Sequence, residues 1–237
     1  LLKDLLDEPA SDEELVSQQS FVTTTIGWLD AHEVVIPILL DAADPRRDEI
    51  VRADAIRSLA LIAGRADGAG ARLNDPELAD SLVRYSQDPN PLSRQLCAFT
   101  MGLVEGIGVE QRLRVMTEDD DANTQVNAAI GLTRHGSTEG LPVFIRVLQK
   151  APDAVDPQTM DGETEVVRQA QAENQEVMNA VALVNVLKAV EDLYPIMDDA
   201  QAAEVKQLVK PIADEFGIIR IRIRAKEALR AMDDSKK

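Results

Sequence analysis

The stretch "VRADAIRSLALIAG" (residues 51–64) contains a spacing of residue types that returns several times along the chain. Counted from Arg52, a small residue follows at +3 (Ala55) and at +6 (Ser58), and a large apolar residue follows at +7 (Leu59). Positions +3 and +7 lie on one face of an α-helix, with +6 beside them. The spacing therefore predicts a helix that lets a neighbour approach closely at its small positions.

The same template fits five other places in the chain. Three copies fit closely and two fit more loosely; their origins are Arg94, Gln125 and Arg222, and then Asn179 and Phe21. Consecutive origins are 31 to 54 residues apart. A recurrence on this scale is typical of repeat architectures.

The predicted ends of these helices also recur. Gly64, Gly106 and Gly136 fall 11 or 12 residues after their origins, where a helix often stops in the left-handed conformation. Three helix starts are predicted near an aspartate, at Asp44, Asp88 and Asp121. Shorter amphipathic segments lie between the template helices, at 33–43, 76–87, 108–117, 139–150 and 200–217. The pattern is helix, turn, helix, repeated.

These pairs resemble HEAT repeats, in particular their short bacterial form. The first helix of that family is similar to "LPVFIRVLQ" (141–149), with its early proline. Its second helix is similar to "VRADAIRSLALIAG" and "TQVNAAIGLTRHG" (124–136). The resemblance covers most of residues 18–150 and returns at 200–232. It implies an all-α, right-handed solenoid of about five helix pairs, with the second helices on the concave side.

In HEAT proteins, Asp and Arg positions usually tie neighbouring repeats together. The resemblance therefore implies a structural ladder rather than a binding role for Asp44, Arg52, Asp88 and Arg94. Gln125 and Asn179 stand where two further arginines would be, which predicts a weaker ladder at those repeats.

We expect four segments along the chain. Residues 1–17 form an N-terminal capping arm, although "LKDLL" (2–6) also matches a motif that docks into hydrophobic grooves. Residues 18–150 hold HEAT-like repeats, and 151–165 form a Pro- and Asp-rich insertion that is either a mobile loop or a partner-facing one. Residues 166–237 hold further repeats, with a long helix reaching about Tyr194 and a basic terminal helix.

The charge of the chain limits its partners. It carries 42 acidic and 25 basic residues, for a net charge of −17, and this disfavours binding to nucleic acid or to an anionic membrane surface. The acidity is consistent with a solvated surface, and it is also consistent with an acidic groove for a basic partner.

The last twenty residues run against this charge. Residues 218–237 carry +4, since seven basic residues face three acidic ones. "IRIRIR" (219–224) alternates like a strand, but a helical stripe through Ile218, Ile221, Ala225, Ala228 and Met232 favours a helix. The basic side chains of this segment either bind a partner or pair with the acidic body; the candidates are Arg220, Arg222, Arg224 and Lys226.

The search for catalytic or metal-binding groups finds little. The chain has two histidines, His32 and His135, too few for the several His-Glu pairs that iron-dependent hydroxylases of this architecture need. Cys97 falls at a small packing position and is interpreted as a buried thiol. The carboxylates of 118–121 and of the 151–165 segment are interpreted as solvated turns rather than calcium ligands. We predict no cofactor, no metal and no enzymatic activity.

The predicted function is a non-catalytic protein–protein interaction scaffold or adaptor with an extended acidic surface. Two alternatives stay open: a small-ligand-binding protein like the phycobilin lyases, and a structural subunit of a larger complex. Expected partners are one or more proteins, and a basic protein is one candidate. Neither nucleic acid nor direct insertion into a membrane is expected. A soluble protein is expected, with the cytoplasm favoured. Because the sequence starts at Leu1 and not at Met, we expect a processed or trimmed fragment, from which an upstream targeting or anchor segment could have been lost.

Overall fold

The computed structural model describes residues 5–6, 8, 12–151 and 180–235. These residues are mostly helical, and the two short strands among them, β1 (Leu73–Asn74) and β2 (Val104–Glu105), pair in parallel. The helices are α1 (Glu13–Ile26), α2 (His32–Ala42), α3 (Glu49–Gly68), α4 (Pro76–Tyr85), α5 (Pro91–Met101), α6 (Val109–Met116), α7 (Ala122–Arg134), α8 (Leu141–Lys150), α9 (180–193), α10 (Asp199–Glu215) and α11 (Ile219–Asp234).

The chain divides into two compact units, Leu1–His135 and Gly136–Lys237. In unit 1 the shorter A helices α2, α4 and α6 alternate with the B helices α3, α5 and α7, and α1 packs on α3 as an additional B helix. In unit 2, α10 packs on α11 and contacts α8. The described helices after α1 fall into five consecutive pairs, and the predicted all-α solenoid is confirmed.

Helix starts follow from side-chain capping. The side chains of Asp12, Asp48, Asn90, Asp121 and Asp198 each accept a hydrogen bond from a backbone N–H two or three residues further on. Such caps satisfy amide groups that have no partner within the helix. The prediction for Asp121 is confirmed, whereas α3 and α5 are capped by Asp48 and Asn90 rather than by Asp44 and Asp88.

The template describes the core of the B helices correctly in three copies. Its +3, +6 and +7 side chains are buried in α3, α5 and α7: Ala55, Ser58, Leu59, Cys97, Thr100, Met101, Ala128, Gly131 and Leu132. Close approach is the reason for small residues at these positions. A Cβ on Gly102 in the turn after α5 would lie 2.7 Å from the Cα of Gly131 in α7.

The template copy predicted to start at Phe21 starts two residues earlier in the structure, at Gln19. Trp28, its +7 residue, is exposed, whereas Val22, Thr23, Ile26 and Gly27 are buried. The position equivalent to Arg52 is Gln19, whose side-chain amide donates to the carbonyls of Leu5 and Glu8. Arg52 and Gln125 similarly donate to carbonyls just before their own helices, those of Arg47 and Asp119.

Two predicted glycine stops are wrong. Gly64 lies inside α3, which continues to Gly68 before a left-handed turn at Gly70 (φ 78°). Gly106 follows β2, where a Cβ would lie 2.3 Å from the Cβ of Ala79. The third stop is confirmed, because Gly136 follows α7 with φ 76°.

Unit 2 confirms the helical interpretation of the last segment. Ile221, Ala225, Ala228 and Met232 of α11 are buried, as the predicted stripe requires, although Leu229, the +7 residue of this copy, is only half-buried. In α9 the template is confirmed only in part. Val186, the +7 residue of the copy at Asn179, is buried as predicted, whereas Ala182 at +3 is only half-buried and Asn185 at +6 is exposed.

At the amino end, Leu6 is buried against the first helices, and its carbonyl accepts a hydrogen bond from Arg47 Nη1. Residues 152–165 of the predicted insertion and the start of the predicted long helix lie outside the described residues. The loop carboxylates interpreted as a solvated turn lie there as well.

Candidate interaction surface

The B helices of unit 1 present a mixed apolar and cationic surface. Its members are left exposed or half-buried by the packing of α1, α3, α5 and α7, and we name them the B-helix face: Trp28, Arg57, Leu61, Arg65, Phe99, Ile130 and Arg134.

Two aromatic rings on this face each lie beneath an arginine of the next B helix. The Arg65 guanidinium carbon lies 5.9 Å from the centroid of the Trp28 ring, and that of Arg134 lies 5.0 Å from the Phe99 ring. Arg65 Nη2 also donates to the carbonyl of Gly27 at 2.9 Å. These contacts hold the side chains in place while Trp28 remains 67% exposed.

Asp54, a carboxylate of α3 beside this face, already has two partners. Asp54 is buried in α3, where it accepts a hydrogen bond from Ser20 Oγ at 2.5 Å and pairs with Arg57. The next two B helices, α5 and α7, contain no aspartate or glutamate. The face is therefore apolar and cationic, and the predicted acidic groove does not lie along it.

The acidic residues of unit 1 are concentrated on the A helices and at helix starts. Glu33 and Asp41 are exposed on α2, Glu77 and Asp80 on α4, and Glu110 on α6. A shallow, open depression beside α4 is lined by Glu77, Asp80, Arg84 and the 94% exposed Ile107, among others.

Two of the four predicted ladder residues pair with an acid of the following repeat. Arg52 donates from Nε and Nη2 to the carboxylate of Asp88, at 2.8 and 3.2 Å. Arg94 makes the same two-pronged contact with Asp119, a residue the sequence reasoning missed, at 3.0 and 2.9 Å. Asp44 instead pairs with its neighbour Arg46 on the surface.

A local signal could have identified Asp119. Both ladder acids stand two residues before a helix cap, in "DPN" (88–90) and in "DDD" (119–121), and each accepts a hydrogen bond from the backbone N–H of that cap. Asp44 does not stand in this position, since the residue two before the cap Asp48 is Arg46.

The ladder contact shifts the acid–base behaviour of its members. Asp119 raises the pKa of Arg94 by accepting its hydrogen bonds. Burial alone would raise the pKa of Asp119, but hydrogen bonds from Arg94 and from the backbone of Asp121 outweigh it, so this pKa is lowered. Most of the acidic turn at 118–121 is thus used to join two repeats and to cap α7.

The four predicted partner-binding residues of α11 differ in their surroundings. Arg224 Nη2 lies 2.5 Å from Glu191 Oε2 of α9, which is the internal pairing considered from the sequence. Arg220 and Lys226 are exposed, and Arg222 is half-buried.

The histidines and the cysteine occupy structural positions. His32 is the first residue of α2, and His135 follows α7, where its Nε2 lies 2.9 Å from the carbonyl oxygen of Met101. Cys97 is fully buried, and this burial raises the pKa of its thiol. Within the described part of the chain, no three or more His, Cys, Asp or Glu side chains are grouped so as to hold a metal ion. No described helix combines the length and the apolar character needed to cross a membrane.

No protein-family model and no curated protein matches the sequence. Solved structures do match. An archaeal HEAT-like repeats protein from Thermococcus onnurineus NA1 is 14% identical, over 100% of this chain and 87% of that one, with a TM-score of 0.57. An engineered protein is 14% identical over 99% and 97%, with a TM-score of 0.51. The first of these similarities shows a HEAT-like repeat fold.

A third solved structure is similar to this chain only at a lower TM-score. The complex of CpcE and CpcF of phycocyanin lyase from Nostoc sp. PCC7120 is 15% identical over 99% of this chain and 93% of that one, with a TM-score of 0.46.

Proposed function

We propose that this HEAT-like repeat protein is a protein–protein interaction scaffold that works by binding and not by catalysis, and that its partner docks on the B-helix face of unit 1. Stacked repeats offer extended surfaces of this kind. The fold alone does not determine a function, so the proposal depends on the side chains of the face.

The observation that carries the proposal is the pairing of two surface aromatic rings, one exposed and one half-buried, with arginines. The chain has one Trp and four Phe, and Trp28 and Phe99 both lie on this face under a guanidinium group. Trp, Tyr and Arg are the residues that most often dominate the binding energy of protein interfaces. A half-buried apolar surface next to oriented cations suits a partner segment that has apolar side chains and hydrogen-bond acceptors.

The acidic A helices contribute in a different way. Exposed carboxylates accelerate the approach of a basic partner at low salt, and salt screens this attraction. A partner bound through the B-helix face should remain bound at high salt, whereas one bound only through the A helices should be released.

A comparative pull-down tests the proposal. Immobilised parent protein, a Phe99→Ala variant and an Ile130→Ala variant are exposed to lysate of the source organism at low and high salt. We expect at least one protein that the parent retains at both salt concentrations and that both variants lose. Val115→Ala, at a residue 57% exposed on α6, is the matched control and should bind like the parent.

Melting curves must show that the variants remain folded, since Phe99 also packs against the core. Equal retention by the parent and by folded Phe99→Ala and Ile130→Ala variants would contradict the proposed face. Retention only at low salt would place the partner on the acidic A helices instead.

A further inference from the structure

Among the described residues, one side of α1 is exposed along its length. Glu14, Gln18, Phe21 and Thr25 follow one another at helical spacing and are all exposed, with Phe21 at 70%. We name these four residues the α1 face. An exposed phenylalanine is unusual in a chain that has only four.

The equivalent positions of the next B helix are covered. Counted from Gln19 in α1 and Arg52 in α3, Gln18 corresponds to Val51, Phe21 to Asp54 and Thr25 to Ser58. All three α3 residues are buried, at 1%, 8% and 3% exposure. Two of them bond to α1, because Asp54 accepts from Ser20 Oγ and Ser58 Oγ donates to the carbonyl of Thr23 at 2.8 Å. The α1 face is therefore the side on which a preceding helix would pack, and its occupant should be a helix.

The surroundings of the α1 face indicate the charge of that helix. The first turn of α1, its cap and the turn that follows the helix carry four carboxylates (Asp12, Glu13, Glu14 and Asp30), and residues 12–30 hold no lysine or arginine. A helix that joins exposed apolar side chains to basic ones would complement both the Phe21 ring and these carboxylates.

This chain contains such a helix. On α11, Ile219 and Ile223 are 64% and 52% exposed, and Lys226 and Arg230 continue the same stripe. The stripe lies opposite the buried one through Ala225, and we name its four residues the α11 face. It is apolar at one end and basic at the other.

We propose that the α11 face of one copy of this protein docks on the α1 face of a second copy, so that the chain associates head to tail. Pairing of like faces is disfavoured, because two acidic α1 faces repel each other and so do two basic α11 faces. A head-to-tail contact uses different surfaces on the two copies, and it propagates into a ring or an open chain.

Two single variants and their mixture test this arrangement by sedimentation velocity. Phe21→Arg sets a cation against the basic α11 face, and Ile223→Glu sets a carboxylate against the acidic α1 face. The parent should increase in mass with concentration, beyond one chain. Each variant alone should remain a single chain, since each lacks one of the two faces. An equal mixture should form a complex of two chains and stop there, because the one intact face of each variant is then used.

The single tryptophan gives a second readout. Trp28 lies two helical turns beyond Phe21, so its emission in the Ile223→Glu variant should shift to shorter wavelength when Phe21→Arg is added. In that mixture Phe21→Arg also carries Trp28→Phe and is therefore dark. Val115→Glu, on α6, is the control and should associate like the parent. Lys226→Glu repeats the test on the α11 side without removing an apolar residue.

A parent that stays a single chain at all concentrations overturns the inference, as does a mixture of folded variants that remains monomeric. Association of the parent that persists in both single variants assigns the contact to other surfaces and overturns it too. The proposed function is tested separately, because Phe99 and Ile130, the B-helix-face residues that the pull-down changes, are unchanged in every variant of this series. Trp28→Phe is used only in the emission experiment and not in the sedimentation series.

Discussion

The guanidinium of Arg94 donates two parallel hydrogen bonds to the carboxylate of Asp119, and so joins α5 to the turn between α6 and α7 in the next repeat. Both side chains are nearly buried, at 13% and 10% exposure. Arg52 and Asp88 repeat this arrangement one repeat earlier, at 10% and 5%. A two-pronged contact between a planar guanidinium and a carboxylate fixes orientation as well as distance.

Replacing Arg94 with Gln should lower the free energy of unfolding by about 3 kcal/mol, because Asp119 would be left as a buried carboxylate without its cation. Urea unfolding measures the change. Arg46→Gln is the matched control, since Arg46 pairs with Asp44 on the surface and its loss should leave the unfolding midpoint close to that of the parent. Equal effects of the two substitutions would contradict the structural role of the ladder.

The lowered pKa of Asp119 predicts a pH-dependent difference between the parent and Asp119→Asn. A carboxyl group whose pKa is lower in the folded than in the unfolded state stabilises the fold at pH values above the unfolded pKa, about 3.9. This stabilisation is lost as the pH falls through the folded pKa. The gap in melting temperature between parent and variant should therefore be constant from pH 7 to about pH 5 and should narrow below pH 4. A difference in melting temperature that widens in acid would show that the pKa of Asp119 is raised and not lowered by folding.

A methyl group on Gly102 should destabilise the contact between α5 and α7. Its Cβ would lie 2.7 Å from the Cα of Gly131, and a backbone atom cannot move aside as a side chain can. Gly102→Ala should cost about 1–3 kcal/mol. Gly68→Ala is the control at the end of α3, where no atom lies within 4 Å of the new Cβ, and it should raise stability by up to about 1 kcal/mol. Thermal melting should therefore show a lower melting temperature for Gly102→Ala and an equal or higher one for Gly68→Ala than for the parent.

Cys97 should be unreactive in the folded protein. Full burial raises the pKa of its thiol, so the thiolate that reacts with disulfide reagents is scarce and inaccessible. A chromogenic disulfide reagent should release no colour at neutral pH until denaturant is added, and one thiol per chain afterwards. Fast labelling without denaturant would show that α5 opens readily.

The sequence predicts the helices well where packing repeats and poorly where it does not. Ala55, Cys97 and Ala128 are all small and fully buried, because each lies where two B helices approach closely. A shared environment of this kind produces a pattern of small residues that is visible in the sequence. In α1, by contrast, Phe21 is exposed at the position equivalent to the buried Asp54, and Trp28 is exposed in the turn after the helix. Started at Phe21, the template therefore falls on exposed residues at its origin and at +7. The residue of α1 that is equivalent to Arg52 is the buried Gln19.

Helix ends and ladder partners depend on contacts that residue types specify only in part. Gly64 matches a stop signal by its distance from Arg52, but α3 runs one more turn before Gly70 provides the left-handed residue. Asp119 was assigned to a solvated turn because its partner Arg94 lies 25 residues away in sequence. The B-helix face was missed for a similar reason, because its Arg–aromatic pairs join consecutive repeats.

The ladder also sets how the protein opens. Ion pairs connect α3 to the start of α5 and α5 to the start of α7. The polar contacts described between α1 and α3 are instead hydrogen bonds such as Ser58 to Thr23, and apolar packing accompanies them. Local unfolding begins where the fewest interactions are lost. The amide protons of α1 should therefore exchange with deuterium ahead of those of α5, through a detached state that keeps the rest of unit 1 intact. In that state Phe21 no longer lies on a folded helix packed on unit 1. A partner helix that binds only the folded α1 would therefore disfavour detachment and slow the exchange of its amide protons.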